Sequence, residues 1–193
     1  CFSDNPEELT KHAKIFIELH LKNNVIPVCK HFPGQGSASG DSHEGLVDVT
    51  DTWQESELKP YKTLIKDESI KAIMTSHLIH KKLDTSLPAT LSSKVLNDLL
   101  RIDMGFNGVI ISDDPSMSAI SKYYNLKETL LLMIEAGVDM FCFGNNLNYD
   151  KNLLKKVFNI LVELYEEKKI SENQIHMAYK RIMNLKRSIG IVN

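Results

Sequence analysis

The stretch KAIMTSHLIHKKLDTSLPATLSSKVLNDLLRIDMGFNGVIIS, residues 71–112, places two short apolar runs on either side of an amphipathic segment. The runs at 71–76 and 108–112 are almost continuously apolar, which is typical of strands covered on both faces of a parallel sheet. Between them, the serine pair at 92–93 can cap a helix that continues through Asp103. The apolar face of this helix would comprise Val95, Leu96, Leu99 and Leu100. The stretch therefore predicts a strand–helix–strand unit of an α/β fold.

The same alternation continues in both directions along the chain. The pattern predicts a first helix capped by Asp4 or Asn5, strands at Val25 to Cys29 and 138–143, helices around 57–66 and 126–136, and a helix end at Gly137. From Asp150 onward it predicts two amphipathic helices, divided near Ser171. The fold class is thus α/β, with parallel strands alternating with helices. Four such units fit either a doubly wound sheet or part of a (β/α)₈ barrel, and length alone does not choose between them.

Composition and charge limit the partners. The chain has 193 residues, a net charge of −2 and a pI near 6.4, so no basic field would attract nucleic acid or an anionic membrane. No apolar run approaches the ~20 residues of a membrane-spanning helix. The three cysteines form no disulfide pattern, which favours reduced thiols and a cytoplasmic protein, and Cys29 and Cys142 are expected to be buried. His77 and His80 lack a third ligand at suitable spacing, so no metal is expected.

Polar groups follow each predicted strand, where parallel α/β folds carry their binding sites. They are Lys30–His31, Ser76–His77, Ser112–Asp113–Asp114 and Gly144–Asn145–Asn146. Asp113 would sit at the strand end as a nucleophile, a general base or a metal ligand, or as a hydrogen-bonded turn residue. Asp114, which precedes a proline, is expected to cap a helix. This edge of the sheet predicts a site for a polar ligand.

The glycine-rich segment 34–45 raises a choice between a phosphate-binding loop and a catalytic loop. Its glycines, at 34, 36 and 40, are one residue too widely spaced for a dinucleotide loop, and no helix follows directly. Asp41 can instead accept the Nδ1 proton of His43 and leave Nε2 to exchange protons. A surface loop in which His43 merely titrates is the alternative, and spacing alone favours it.

Taken in order, the segments KHFPGQG with DSH, TSHLIHKKLDTSLPATLS, ISDDPSM and EAGVDMF closely resemble glycoside hydrolase family 3. Within that family the match is to the bacterial β-N-acetylglucosaminidases of cell-wall recycling. The resemblance implies a retaining glycosidase that needs no metal and no organic cofactor. It implies that Asp113 is the nucleophile and that His43 is the general acid/base, with Asp41 as its dyad partner. Lys30 and His31 would bind sugar hydroxyls.

The resemblance also sets expectations for the architecture. Residues 1–193 would form one partial catalytic domain, the C-terminal half of a (β/α)₈ barrel, with 148–193 as its helical end. The family often has histidine at the position of Gln35, so a loop contact is expected to differ here. The substrate would be a small peptidoglycan-derived saccharide, and the isolated chain is expected to be inactive. A glucosidase or xylosidase of the same family and a non-catalytic sugar-binding half-barrel are the alternatives; the oligomeric state stays open.

Overall fold

The computed structural model describes residues 2–38, 40, 45–146 and 149–192 of the chain. Three parallel strands form one sheet in the order β1 (Val28–Phe32), β2 (Ala72–Thr75) and β3 (Val109–Ile111). Helices and loops connect successive strands, as a parallel sheet requires. The α/β class predicted from the apolar runs is therefore confirmed.

Six α-helices are present in the described residues: α1 (Pro6–Lys22), α2 (Lys59–Lys66), α3 (Ser118–Ser121), α4 (Leu126–Ala136), α5 (Leu153–Glu166) and α6 (Glu172–Arg187). Short 3₁₀ turns occur at Glu55–Leu58 and Ala89–Leu91. The helix predicted after the serine pair is present at Lys94–Asp103, but with π-type hydrogen bonding. At its end, for example, the Met104 amide donates to the carbonyl of Leu99, five residues earlier.

The helix ends follow the local sequence. The Asn5 side chain accepts hydrogen bonds from the amides of Glu7 and Glu8, so Asn5 rather than Asp4 caps α1. Gly137 adopts a left-handed conformation with φ of 94° and ends α4, as predicted. The Ser171 hydroxyl and the Gln174 side chain form the predicted capping box of α6.

The first strand begins three residues later than the sequence predicted. The Val25 amide donates to the carbonyl of His20 at 3.0 Å and therefore belongs to the end of α1. Pro27 has no amide hydrogen for a strand ladder, so β1 starts at Val28. As a result, Lys30 and His31 lie inside β1 rather than after it.

The predicted fourth strand at 138–143 is wrong as a full strand, because only Met140 forms a parallel bridge, to Ile111. The side chain of Asp139 accounts for the difference. Its Oδ2 atom accepts the Ile110 amide at 2.9 Å, where a ladder carbonyl would otherwise serve. Asp139 also pairs with Arg101 at 2.7 Å and with Arg181 at 3.0 Å, through Oδ2 and Oδ1. An ionic cluster thus replaces part of the expected ladder.

The core lies between the sheet and its helices and includes Phe32, Ile73 and Ile110. Large apolar side chains remain exposed on both flanks. On α1 these include Phe16, and on α5 they include Leu154 and Phe158, which are 83% and 63% exposed. No described helix combines the length and apolar character that crossing a bilayer requires.

Candidate active site

Asp113 stands directly beyond the end of β3 and is fixed from two directions. Its backbone amide donates to the Thr75 hydroxyl at 3.2 Å, which ties it to the end of β2. Its Oδ1 atom accepts the Asp114 amide at 2.8 Å. Thr75 itself is buried and shares a hydrogen bond with the hydroxyl of Thr90. The carboxylate therefore has one oxygen held in place, while its side chain remains 22% exposed.

His31 faces the other oxygen of this carboxylate. Its Nε2 atom lies 3.7 Å from Asp113 Oδ2, too far for a direct hydrogen bond. Burial lowers the pKa of His31, the charge of Lys30 lowers it further, and Asp113 opposes both effects. A neutral imidazole leaves Asp113 Oδ2 without a cationic partner there. That oxygen is therefore the more available of the two for reaction with a ligand.

Asp114 does not cap a helix, contrary to the prediction. Its Oδ1 atom accepts the amide and the hydroxyl of Ser116, at 2.9 and 2.6 Å, in a tight turn. The residue that precedes α3 is Met117. The second oxygen, Oδ2, accepts the Gly144 amide at 2.9 Å. Asp114 thus joins the segment after β3 to the segment that follows Met140.

His77, which the sequence places among the polar groups after β2 without giving it a role, is a further member of the site. It is 1% exposed, and its Nε2 atom lies 2.9 Å from the carbonyl oxygen of Asp114. Since a carbonyl only accepts, Nε2 carries the proton and Nδ1 is bare. Burial lowers the pKa of His77, while the Asp114 hydrogen bond and the charge of Asp113 oppose that change. His77 therefore supports the turn next to Asp113 as a neutral donor.

Comparison with known proteins identifies the family of the chain. The model of the glycosyl hydrolase family 3 N-terminal domain matches residues 1–185. The chain belongs to glycosyl hydrolase family 3. A β-hexosaminidase from Psychromonas ingrahamii is 36% identical over 149 residues, which cover 76% of this chain and 44% of that protein.

Solved structures of family 3 members agree. The β-N-acetylglucosaminidase from Paenibacillus sp. str. FPU-7 matches with a TM-score of 0.87 and 30% identity, over 96% of this chain and 35% of that chain. The enzyme from Thermotoga maritima gives a TM-score of 0.83 at 29% identity, over 98% of this chain and 40% of that one. The fold class is thus that of the family's barrel-type domain, and this chain spans less than half the length of these relatives.

Besides Asp113, the family resemblance predicted four site residues, and the structure describes two of them, His31 and Lys30. His31 contacts the site directly. Lys30 is exposed in β1. Burial raises the pKa of Cys142, the charges of Asp114 and Asp113 raise it further, and the charge of Lys30 opposes this change. Asp41 and His43, the predicted family 3 dyad, lie outside the described residues.

Cys142 differs from the expectation, since it is exposed rather than buried. Its amide donates to the buried Ser112 hydroxyl at 3.0 Å, which holds the residue beside the end of β3.

In the described part of the chain, no three side chains of His, Cys, Asp or Glu gather as a metal site would need. A separate cleft of about 500 Å³ opens at the amino-terminal ends of β2 and β3, beside Lys71 and Gly108. It lies at the opposite end of the strands from Asp113.

Proposed function

We propose that the protein is a retaining β-N-acetylhexosaminidase whose nucleophile is Asp113. The supporting observation is the state of its carboxylate: Oδ1 is held by the Asp114 amide at 2.8 Å, and Oδ2 faces a neutral His31 at 3.7 Å. A carboxylate oxygen that has no cationic partner among the described residues suits attack on a sugar's anomeric carbon. The names of the family 3 relatives support the choice of N-acetylglucosaminides.

The proposed reaction has two steps. In the first, Asp113 Oδ2 bonds to the anomeric carbon, the bond to the leaving oxygen breaks, and His43 gives that oxygen its proton. In the second, His43 takes a proton from water, the resulting oxygen attacks the anomeric carbon, and the Asp113 carboxylate is released. Asp41 stabilises the imidazolium form of His43, and Lys30 and His31 bind sugar hydroxyls. Neither step requires a metal or an organic cofactor.

We further propose that the natural substrate is a small saccharide derived from peptidoglycan and that the reaction takes place in the cytoplasm. Residues 1–193 would act as one partial catalytic domain, with 148–193 as its helical end. We expect this chain alone to be inactive, because no strand pairs with the outer edge of β1 among the described residues. A sugar would then lack the contacts that the remaining strands of a closed barrel provide.

The experiment is release of p-nitrophenol from its β-N-acetylglucosaminide. The chain is assayed alone and then joined to the part of the Thermotoga maritima enzyme that lies outside the region it matches. Asp113→Asn should abolish turnover in whichever form is active. Asp98→Asn, an exposed carboxylate on the π-helix, should leave turnover unchanged. Unchanged turnover in Asp113→Asn would refute the nucleophile assignment.

Two further measurements address the alternatives. Faster hydrolysis of the plain glucoside or xyloside than of the N-acetylated sugar would indicate a sibling glycosidase. Saccharide binding without turnover in the completed barrel would indicate a non-catalytic sugar-binding protein.

Two other measurements test the retaining mechanism. A slow fluorinated substrate should add its glycosyl mass to the peptide that contains Asp113. Nuclear magnetic resonance should detect the β-anomer as first product.

A further inference from the structure

The start of the glycine-rich segment is attached to one carboxylate, that of Glu57. Glu57 Oε2 accepts the Gly36 amide at 3.0 Å, and Oε1 accepts the Ser37 hydroxyl at 2.6 Å. Oε1 also lies 3.3 Å from the Gln54 amide, which places Glu57 at the start of the helical segment that leads into α2. Both oxygens are therefore in use, and they connect two segments some 20 residues apart along the chain.

Trp53 forms a second attachment next to the first. Its indole Nε1 donates to the Pro33 carbonyl at 3.1 Å, and its ring packs edge-on against His80 at a centroid distance of 4.5 Å. His80 is buried, so the tryptophan is held from both sides. Residues 33–37 are thereby fixed at three successive places: a carbonyl, an amide and a hydroxyl.

Gly34 shows how closely these segments approach one another. Its φ is +127°, and a Cβ atom at this position would lie 2.7 Å from Glu57 Oε2 and 3.1 Å from Trp53 Nε1. Both the backbone conformation and the space exclude a side chain. Gly34 is thus required for the loop to reach Glu57. This role is structural and does not involve phosphate binding.

We propose that Glu57, assisted by Trp53, is a positioning residue that sets where the loop carrying Asp41 and His43 leaves the sheet. The inference rests on the proposed function, since it gives the loop an acid/base to position. Asp41 follows Ser37 by only four residues, so displacement at 36–37 is transmitted along a short piece of chain. A carboxylate suits the task because it accepts at both oxygens, whereas an amide accepts at one.

The first test is physical and does not depend on activity. Trp53 is the only tryptophan, so its fluorescence reports on the attachment directly. In Glu57→Ala, we expect altered Trp53 emission and a roughly tenfold faster exchange of the Gly36 amide, since a hydrogen bond to a charged group is lost. Ser37→Ala removes a loop partner but leaves the contact to Gln54 intact, and should give a smaller change of the same kind. Glu55→Ala, whose side chain is 80% exposed, is the matched control and should change neither signal.

The second test separates positioning from simple stabilisation, in the form of the protein that turns over substrate. A misplaced general acid should slow the hydrolysis of phenyl glycosides, whose leaving group is poor, much more than that of 2,4-dinitrophenyl glycosides. The dinitrophenolate leaves without needing a proton. We expect Glu57→Ala to show this difference and Asp113→Asn to lose both activities. Glu57→Gln should recover part of the phenyl glycoside rate.

The outcomes are distinguishable. Unchanged Trp53 emission and Gly36 exchange in Glu57→Ala would overturn the attachment. Altered signals with equal losses on both aryl glycosides would make Glu57 a structural residue only and overturn the positioning role. If no form of the protein hydrolysed either glycoside, the proposed function and the positioning role would both fail, while the physical test would still decide the attachment.

Discussion

The Nε2 atom of His77 lies 2.9 Å from the carbonyl oxygen of Asp114, so a buried side chain at the end of β2 holds the turn that presents Asp113. Thr75 acts on the same turn from the same strand, through the Asp113 amide. Two residues of β2 and its extension thus set the backbone around the proposed nucleophile. The arrangement depends on one tautomer of His77, with the proton at Nε2.

Removing this donor should slow the reaction. In the active form of the protein, we expect His77→Ala to lower kcat about fivefold, because one hydrogen bond of about 1 kcal/mol no longer holds the turn. His77→Gln keeps a donor at a similar distance along the side chain and should retain more of the rate. Equal rates for the alanine variant and the unmodified protein would contradict this role.

Stability should decrease on mild acidification. Burial lowers the pKa of His31, His77 and His80 below their ordinary value of 6.5. The unfolded chain therefore binds protons at these residues before the folded chain does, so the free energy of unfolding falls as pH drops below about 6.5. Chemical denaturation between about pH 7.5 and pH 5 would measure the slope. His77→Gln should reduce it, and the exposed His176→Gln should not. An identical slope in both variants would argue against a buried neutral His77.

The Asp139 cluster should contribute far more to stability than a surface ion pair. The side chain of Asp139 is 1% exposed and pairs with Arg101 and Arg181. We expect Asp139→Ala to lower the free energy of unfolding by about 3 kcal/mol or more, since it leaves two guanidinium groups without their carboxylate. Lys127→Ala breaks exposed pairs with Glu163 and Glu167 and should cost about 1 kcal/mol or less. Similar losses in the two variants, measured by urea unfolding, would refute the difference.

Gly144 should not tolerate a side chain. A Cβ atom there would lie 2.7 Å from Asp114 Oδ2, the atom that accepts the Gly144 amide. Gly144→Ala should therefore displace the Asp114 turn and lower both thermal stability and turnover. Gly45→Ala, where nothing lies within 4 Å of the added atom, is the control for stability. A variant at Gly144 with unchanged melting temperature would show that the turn adjusts at little cost.

The sequence predicted the elements better than their ends. Continuous apolar runs predicted β2 and β3. The cap at Ser171 predicted the start of α6, and Gly137 predicted the end of α4. These predictions succeeded because each signal acts within a few residues. The fourth strand was mispredicted because a side chain distant in sequence from its partners decides it. Asp139 is bonded to groups 29, 38 and 42 residues away.

The features of the candidate site that could be predicted were likewise those marked by local sequence. The proximity of Asp113 and His31 was predictable, because a strand end marks Asp113 and the family motif marks both residues. The sequence placed His77 at this edge but gave it no role, since its importance comes from a contact with Asp114, 37 residues further along the chain. The Asp114 turn was mistaken for a helix cap because Asp-Pro initiates either structure, and only the contacts with Ser116 and Gly144 distinguish them. Likewise, nothing in the pattern around Glu57 connects it with Gly36.

Asp139 also specifies how its segment aligns with β3. Parallel apolar strands carry little information about register, because shifting one past the other by a residue replaces one aliphatic contact with another. The Ile110 amide, however, donates to the Asp139 carboxylate, which also pairs with Arg101 and Arg181. A shift by one residue would bring Val138 or Met140 to that amide and leave the charges buried without partners. We therefore expect the ionic cluster to favour one alignment during folding, and its loss to increase the population of misaligned chains.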